Sequence, residues 1–253
     1  MRKIVRIVLF SIETILIFLI VGALTTALTK NIHSYILVEQ FKSKGVLNEE
    51  KSTDRVKVYE IQADEETPTI TINKNEIFPG NSGDILINLK SEINIPVIEE
   101  LISFFAGGHA ALVLDDFEDA ILYSNNFKVV ETTGLGEGNN PAIIGEKAVW
   151  NNRIYYNEVI GLRVKMNKNE RIKVISKAIS MVGDPYNYAF IVDTQNKHYC
   201  SDLIMKSFSS IGINLNKDGF TTSVYDLVVS KDTYISYYHY YDHNDVRHVY
   251  YLV

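Results

Sequence analysis

The sequence predicts an α+β domain set behind one apolar N-terminal helix. Three observations carry this. The run Ile7–Leu28 is apolar throughout and interrupted by a single charge, Glu13. Beyond it, β-rich stretches recur at Asp84–Asn88, Ala110–Leu114, Lys128–Thr133 and Val159–Val164, short apolar runs of strand length bounded by turn residues. Two helical patterns follow, Glu170–Val182 and a second that opens at Cys200, before a tyrosine-rich tail from Tyr234 that closes the sheet. Strands first and helices later describe an α+β architecture with an antiparallel sheet rather than repeated βαβ units.

Composition narrows the function. The chain is 46% apolar and 22% charged, ordinary globular usage, which excludes a collagenous or largely disordered protein. A net charge of −6 argues against a basic nucleic-acid binder, so no nucleic-acid partner is expected. The single cysteine, Cys200, forms no internal disulfide and builds no cysteine-rich zinc or iron–sulfur centre. Neither a metal nor a cofactor is expected. The thiol is therefore a buried filler or a nucleophile.

The N-terminal segment is the first element. A membrane span needs about 20 mostly apolar residues, and residues 4–28 supply them. Arg2, Lys3 and Arg6 precede the run. By the positive-inside rule that end stays in the cytoplasm and the rest of the chain lies outside. A signal peptide shares the basic start, but its apolar core is shorter. Length therefore favours an uncleaved, single-pass anchor over residues 1–30, with the remainder extracytoplasmic at the cell membrane. Residues 31–76 then read as an amphipathic continuation and a polar stalk, with a short strand near Val56–Ile61, and residues 77–253 as the domain.

The domain opens on a turn cluster, Pro79-Gly80-Asn81-Ser82-Gly83, feeding the strand after Asp84. Gly107-Gly108 then leads into the strand at His109. Gly134–Gly138 and Asn139–Pro141 are loop. The helix over Glu170–Val182 has Ile172, Ile175, Ala178, Ile179 and Val182 at helical spacing and is stopped by Gly183 and Pro185. The Cys200 helix carries Leu203, Ile204, Phe208 and Ile211 and stops at Gly212.

A cysteine at a helix N-terminus is placed where a thiolate is favoured. It then needs a base within hydrogen-bond reach and a third group to orient that base. Among six histidines, His109 stands out, because paired glycines let its backbone approach a neighbour closely. His198 is two residues from the thiol, a spacing that points it elsewhere. If the strands at His109 and Lys128 pair antiparallel, Glu131 reaches the far imidazole nitrogen and fixes the tautomer. Asp115, at the end of the histidine strand, is the reserve for that role.

These pieces resemble a known family, the circularly permuted papain-fold cysteine hydrolases of the NlpC type, the YiiX/YebB-like group. Gly83-Asp84-Ile85-Leu86 resembles its opening strand, and His109-Ala110-Ala111-Leu112 its histidine strand. Asp184-Pro185-Tyr186 is similar to its tyrosine element, and Tyr199-Cys200-Ser201-Asp202-Leu203-Ile204 to its nucleophile motif. Thr221–Leu227 is a weaker fifth match. The histidine precedes the cysteine, as permutation requires. The resemblance implies a permuted papain-like domain with Cys200 as nucleophile, His109 as base and Glu131 as orienting acid. Tyr186 and Tyr199 would lie at the oxyanion or substrate side. The group commonly places a small hydroxylated residue before the histidine; Gly108 stands there instead.

Other signals are weaker. Asn214–Gly219 opens like a calcium loop, but its twelfth position is Tyr225, where a bidentate glutamate is needed. The run Gly134–Gly138 lacks the helix of a phosphate cradle. His239 and His243 have no further metal donors in a recognisable motif. The expected activity is hydrolysis of an amide, with cell-wall peptide as the leading substrate. The alternatives are a lipid acyl hydrolase or acyltransferase on the same site, with Phe104, Phe105 and Phe190 lining an acyl pocket or packing as core, and a catalytically silent anchored binding domain.

Overall fold

The computed structural model describes residues 2–63, 80–90, 100, 103–114, 128–132, 141–190, 194–218 and 221–253. The candidate Asp115, the glycine run 134–138 and the second part of the stalk, 64–76, lie outside these residues.

A nine-stranded sheet runs through the described residues in the spatial order β1-β2-β9-β8-β7-β3-β4-β5-β6. Its strands are β1 (Val46–Leu47), β2 (Val56–Ile61), β3 (Ile85–Asn88), β4 (His109–Val113), β5 (Lys128–Thr132), β6 (Ala142–Glu146), β7 (Glu158–Val164), β8 (Thr233–Tyr241) and β9 (Arg247–Leu252). Neighbours are antiparallel except β2 and β9, which pair in parallel from Val56↔Arg247 to Ile61↔Leu252. The expected antiparallel sheet is thus a mixed one. A parallel neighbour needs a long crossover, and here nearly the whole domain lies between the two strands. The tyrosine-rich tail forms a hairpin of two strands, β8 and β9, rather than one.

The segment expected to be a stalk contributes to the sheet. β2 seats Val58 and Ile61 in the core and is paired on both sides, by β1 and β9. Residues 46–61 are therefore not a free linker. Helix α1 (Arg2–Ser43) is also longer than its apolar run. Its C-terminal part buries Ala27, Ser34, Val38 and Phe41, one face of a 3.6-residue period.

Among the described residues, beside a 3-10 turn at Lys147–Asn151, three further α-helices are α2 (Lys168–Ser180), α3 (Cys200–Ser209) and α4 (Val224–Val229). They lie on one face of the sheet, where Ile85, Ile87, Ala110, Leu112 and Val130 share a core with Val174, Leu203, Ile204, Phe208 and Leu227. A smaller core on the other face joins Leu86, Ala111, Val113 and Val129 to Trp150, Tyr156 and Val159. Alternation along β3, β4 and β5 feeds both cores. Helix α2 starts with a capping box, Asn167 and Glu170 each accepting the other's backbone N–H. It buries Ala178 of the expected stripe together with Val174, while Ile172 and Ile179 are 52% and 45% exposed. Packing against α3 selects that face.

Asp84, the acid of the opening strand motif, is buried and structural. Arg163 of β7 donates Nε to Oδ1 at 2.8 Å and a terminal N–H to Oδ2 at 2.6 Å. Asn81 N–H donates to the same carboxylate at 2.7 Å. Breaking one side of a buried ion pair strands the other charge. Asp84→Asn is therefore expected to lower stability by about 3–5 kcal/mol in denaturant titrations of the full chain in micelles. The double variant Asp84→Leu/Arg163→Met should lose less than the single one.

Candidate active site

Cys200 is the first residue of α3. The first four N–H groups of a helix have no intrahelical acceptor, so the Cys200 N–H is oriented out of the helix beside its own sulfur. Tyr199 precedes it in extended conformation. Two bonds fix this end to the segment before α4. Tyr199 Oη accepts Thr222 N–H at 3.0 Å, and Ser201 Oγ donates to Thr222 O at 2.7 Å.

His109 opens β4, reached through Gly107 and Gly108. A Cβ on Gly108 would fall 2.0 Å from Lys90 O, and one on Gly107 1.9 Å from Val224 Cγ2. No hydroxylated side chain fits before the histidine, which accounts for the departure at Gly108. The imidazole is 5% exposed. Cys200 acts on it from one side, raising its pKa, and Nε2 lies 2.9 Å from Glu131 Oε2. Its face stacks on Trp150, centroids 5.5 Å apart at 16°, and Trp150 stacks in turn on Tyr156 at 4.4 Å. His109 at the mouth of β4 thus joins the helix layer to the core on the other face.

Glu131 comes from β5, paired antiparallel with β4 in the register Ala111↔Glu131. Its carboxylate occupies space left by Gly145 of β6, where a Cβ would sit 2.1 Å from Glu131 Oε1. Burial alone would lower the His109 pKa. The hydrogen bonds to Cys200 and Glu131, and their negative charges, outweigh it and hold the imidazole well above its ordinary range.

Tyr186 lies beside the thiol. Burial first, then charge at Cys200, raises its phenol pKa, so the hydroxyl keeps its proton and remains a donor. Tyr199 is also raised, by burial and then by the Asp202 charge. Phe190 packs between them, 6.0 Å from the Tyr186 ring and 5.3 Å from Tyr199. Phe104 and Phe105 sit elsewhere, against α1, where Asn31 donates to Phe104 O at 2.9 Å. His198 is held by Asp184 at 3.0 Å and lies 3.4 Å from Asp202. It braces the first turn of α3 rather than bonding the thiol.

The structure therefore brings together Cys200, His109, Glu131 and Tyr186, with Tyr199 beside them. Sequence reasoning missed Trp150, Tyr156 and Gly145. The lone tryptophan was the available signal for the stack. Nothing in the local sequence marks Gly145, whose role depends on strand register.

A thiol at a helix start, a buried histidine on a strand and a carboxylate behind it, with the histidine first in the chain, define a permuted papain-like cysteine hydrolase. The model of one family, described as permuted papain-like amidase enzyme, YaeF/YiiX, C92 family, matches residues 107–233. The chain belongs to that family. No curated protein matches the chain. The crystal structure of metalloprotein yiiX from Escherichia coli O157:H7 is similar with a TM-score of 0.46 and 13% identity, covering 62% of this chain and 97% of that one. Among the described residues of the present chain, no group of three or more His, Cys, Asp or Glu side chains is placed to hold a metal ion.

Two outcomes follow from this geometry. Gly145→Ala should push the Glu131 carboxylate off His109 and slow alkylation of Cys200, while Gly161, on a different strand, offers no such effect. The raised His109 pKa also fixes a pH trend. Between the unfolded value, about 6.5, and the higher folded value, the folded chain holds more protons than the unfolded one. Stability from this group is full below that window and is lost as pH rises through it. In denaturant titrations across pH, Glu131→Gln should flatten that slope.

Proposed function

We propose that the protein is a membrane-anchored, outward-facing cysteine hydrolase that cleaves amide bonds through Cys200, His109 and Glu131. The observation that carries this is the position of His109, buried with Nε2 2.9 Å from Glu131 and its pKa raised by Cys200 and Glu131 together. A base held on both sides transfers a proton without reorienting.

The steps balance as follows. The proton shared by the pair rests on His109, and the Cys200 thiolate sulfur attacks the carbonyl carbon. The oxyanion is held by the Cys200 N–H and the Tyr186 hydroxyl. The C–N bond breaks and His109 returns the proton to the leaving amine, leaving a thioester. His109 then takes a proton from water, hydroxide adds to the thioester, and the carboxylic acid is released, leaving the Cys200 thiolate beside protonated His109. Glu131 stabilises the imidazolium in both halves. Losing one oxyanion donor typically costs on the order of 10²–10³ in rate, which sets the expectation for Tyr186→Phe.

Anchoring rests on α1. It is long and apolar enough to cross a membrane, with the stretch from Leu9 at mean hydropathy 2.1. The basic residues Arg2, Lys3 and Arg6 at its start support a cytoplasmic N-terminus. Cell-wall peptide and acylated amphiphiles are the amide pools on the far side.

The test is alkylation of Cys200 in the full chain across pH, read beside hydrolysis of a fluorogenic peptide amide. Labelling is expected to be fast near neutral pH and slower in His109→Ala. Hydrolysis should vanish in Cys200→Ala. Labelling at the rate of a free cysteine, unchanged in His109→Ala, would contradict the reading.

A further inference from the structure

The place where α1 meets the domain decides how far the site stands from a bilayer. The apolar run ends at Leu28. Two and three residues later, about 5 Å along the helix axis, the domain is already engaged. Lys30 pairs with Asp218 and, at 2.6 Å, with Asp226, while Asn31 bonds Phe104 O. Ser34 and Val38 of the same face are buried. The opposite face stays apolar and exposed through Ile32, Tyr35 and Ile36. An amphipathic tyrosine at that level is typical of the membrane–water boundary. The docked face and the boundary therefore share the same turns of helix, with no spacer between them.

The elements touched there lead directly to the thiol. Asp218 and Asp226 flank the segment 221–223, and Thr221 Oγ1 donates to Phe190 O at 3.3 Å. Phe190 packs on Tyr186 and Tyr199, beside Cys200. Phe190 is a non-glycine residue at φ 46°, a conformation sparsely populated by L-residues and characteristic of functional segments. Its ring is held partly outward, 41% exposed, with Tyr188 at 55% and Phe105, next to Phe104, at 39%. Tyr188 and Phe190 share one patch through Tyr186, Phe105 adjoins the turn of α1 at Asn31 through Phe104, and exposed large aromatics suit an interfacial surface.

We propose that Phe105, Tyr188 and Phe190 rest in the headgroup layer of the bilayer, and that the site takes an amide carried by a bilayer-resident amphiphile, its apolar chain in the membrane and its scissile bond at headgroup level. This rests on the proposed anchoring and on Cys200 chemistry, and it selects acylated amphiphiles over cell-wall peptide. Phe190 and Tyr188 then form the wall that an acyl chain passes on its way to Cys200.

The experiment uses the full chain in phosphatidylcholine/phosphatidylglycerol vesicles whose acyl chains are brominated. Trp150, the only tryptophan, is fully buried and serves as the internal reference. Phe105→Trp and Phe190→Trp each add one rim fluorophore, and alkylation of Cys200 reports that each variant is folded. The added emission is expected to be quenched by brominated lipid while Trp150 is not. Failure of both folded variants to be quenched overturns the membrane contact. In the same vesicles, Cys200-dependent cleavage of a long-chain N-acyl amide should exceed that of its short-chain, water-soluble counterpart; equal or reversed rates overturn the substrate class. Quenching without any Cys200-dependent cleavage would instead fail the proposed hydrolase and leave the membrane contact standing.

Discussion

An imidazole buried between a sheet and a helix must have partners for both ring nitrogens, because an unsatisfied buried polar group is costly. His109 meets that requirement with one partner from each layer. Cys200 comes from the helix and Glu131 from the neighbouring strand. Much of the surrounding structure is arranged around the pairing. Gly108 brings β4 close to the chain after β3, Gly107 makes room for Val224 of α4, Gly145 leaves room for the carboxylate, and Trp150 fills the ring face. The partner charges also keep the imidazole in its protonated range despite burial.

The same site is tied to the N-terminal helix through a short series of bonds. Ser223 donates N–H and Oγ to Asp226, which caps α4 and receives Lys30 from α1. Thr222, one residue earlier, is bonded to Tyr199 and Ser201 on either side of the nucleophile. The helix that would cross the membrane and the helix that opens on Cys200 are thus joined through the short stretch from Thr222 to Asp226. Motion of the domain on a flexible stalk is difficult to reconcile with that arrangement. The C-terminal part of α1 and the domain are thereby held as one unit.

Much of the site could be read from local sequence because its parts are marked locally. A cysteine before a helical period, and a histidine after paired glycines and before an apolar run, are visible at the residues themselves. Glu131 needed one further step, the antiparallel pairing of β4 with β5, and the register Ala111↔Glu131 supplies it. What stayed hidden depends on distant pairing. β2 joins the sheet only because β9, at the other end of the chain, lies beside it. Its sequence marks a short strand at Val56–Ile61 but not the partner that pairs with it. On α2, Ala178 of the expected stripe is buried, but Ile172 and Ile179 share its spacing and stay exposed because packing selects Val174 beside it. Arg163 as the partner of Asp84, and Gly145 as the space for Glu131, become visible only once strand order is known.

The central claim is that Cys200 and Glu131 together hold His109 protonated above its ordinary range. The most direct measurement is the titration of His109 by ¹⁵N NMR in the full chain, in wild type, Cys200→Ala and Glu131→Gln. The account predicts a wild-type midpoint well above about 6.5 that falls in each variant, with the His198 signals unmoved by Glu131→Gln. A His109 midpoint near the ordinary value, the same in all three proteins, would contradict it.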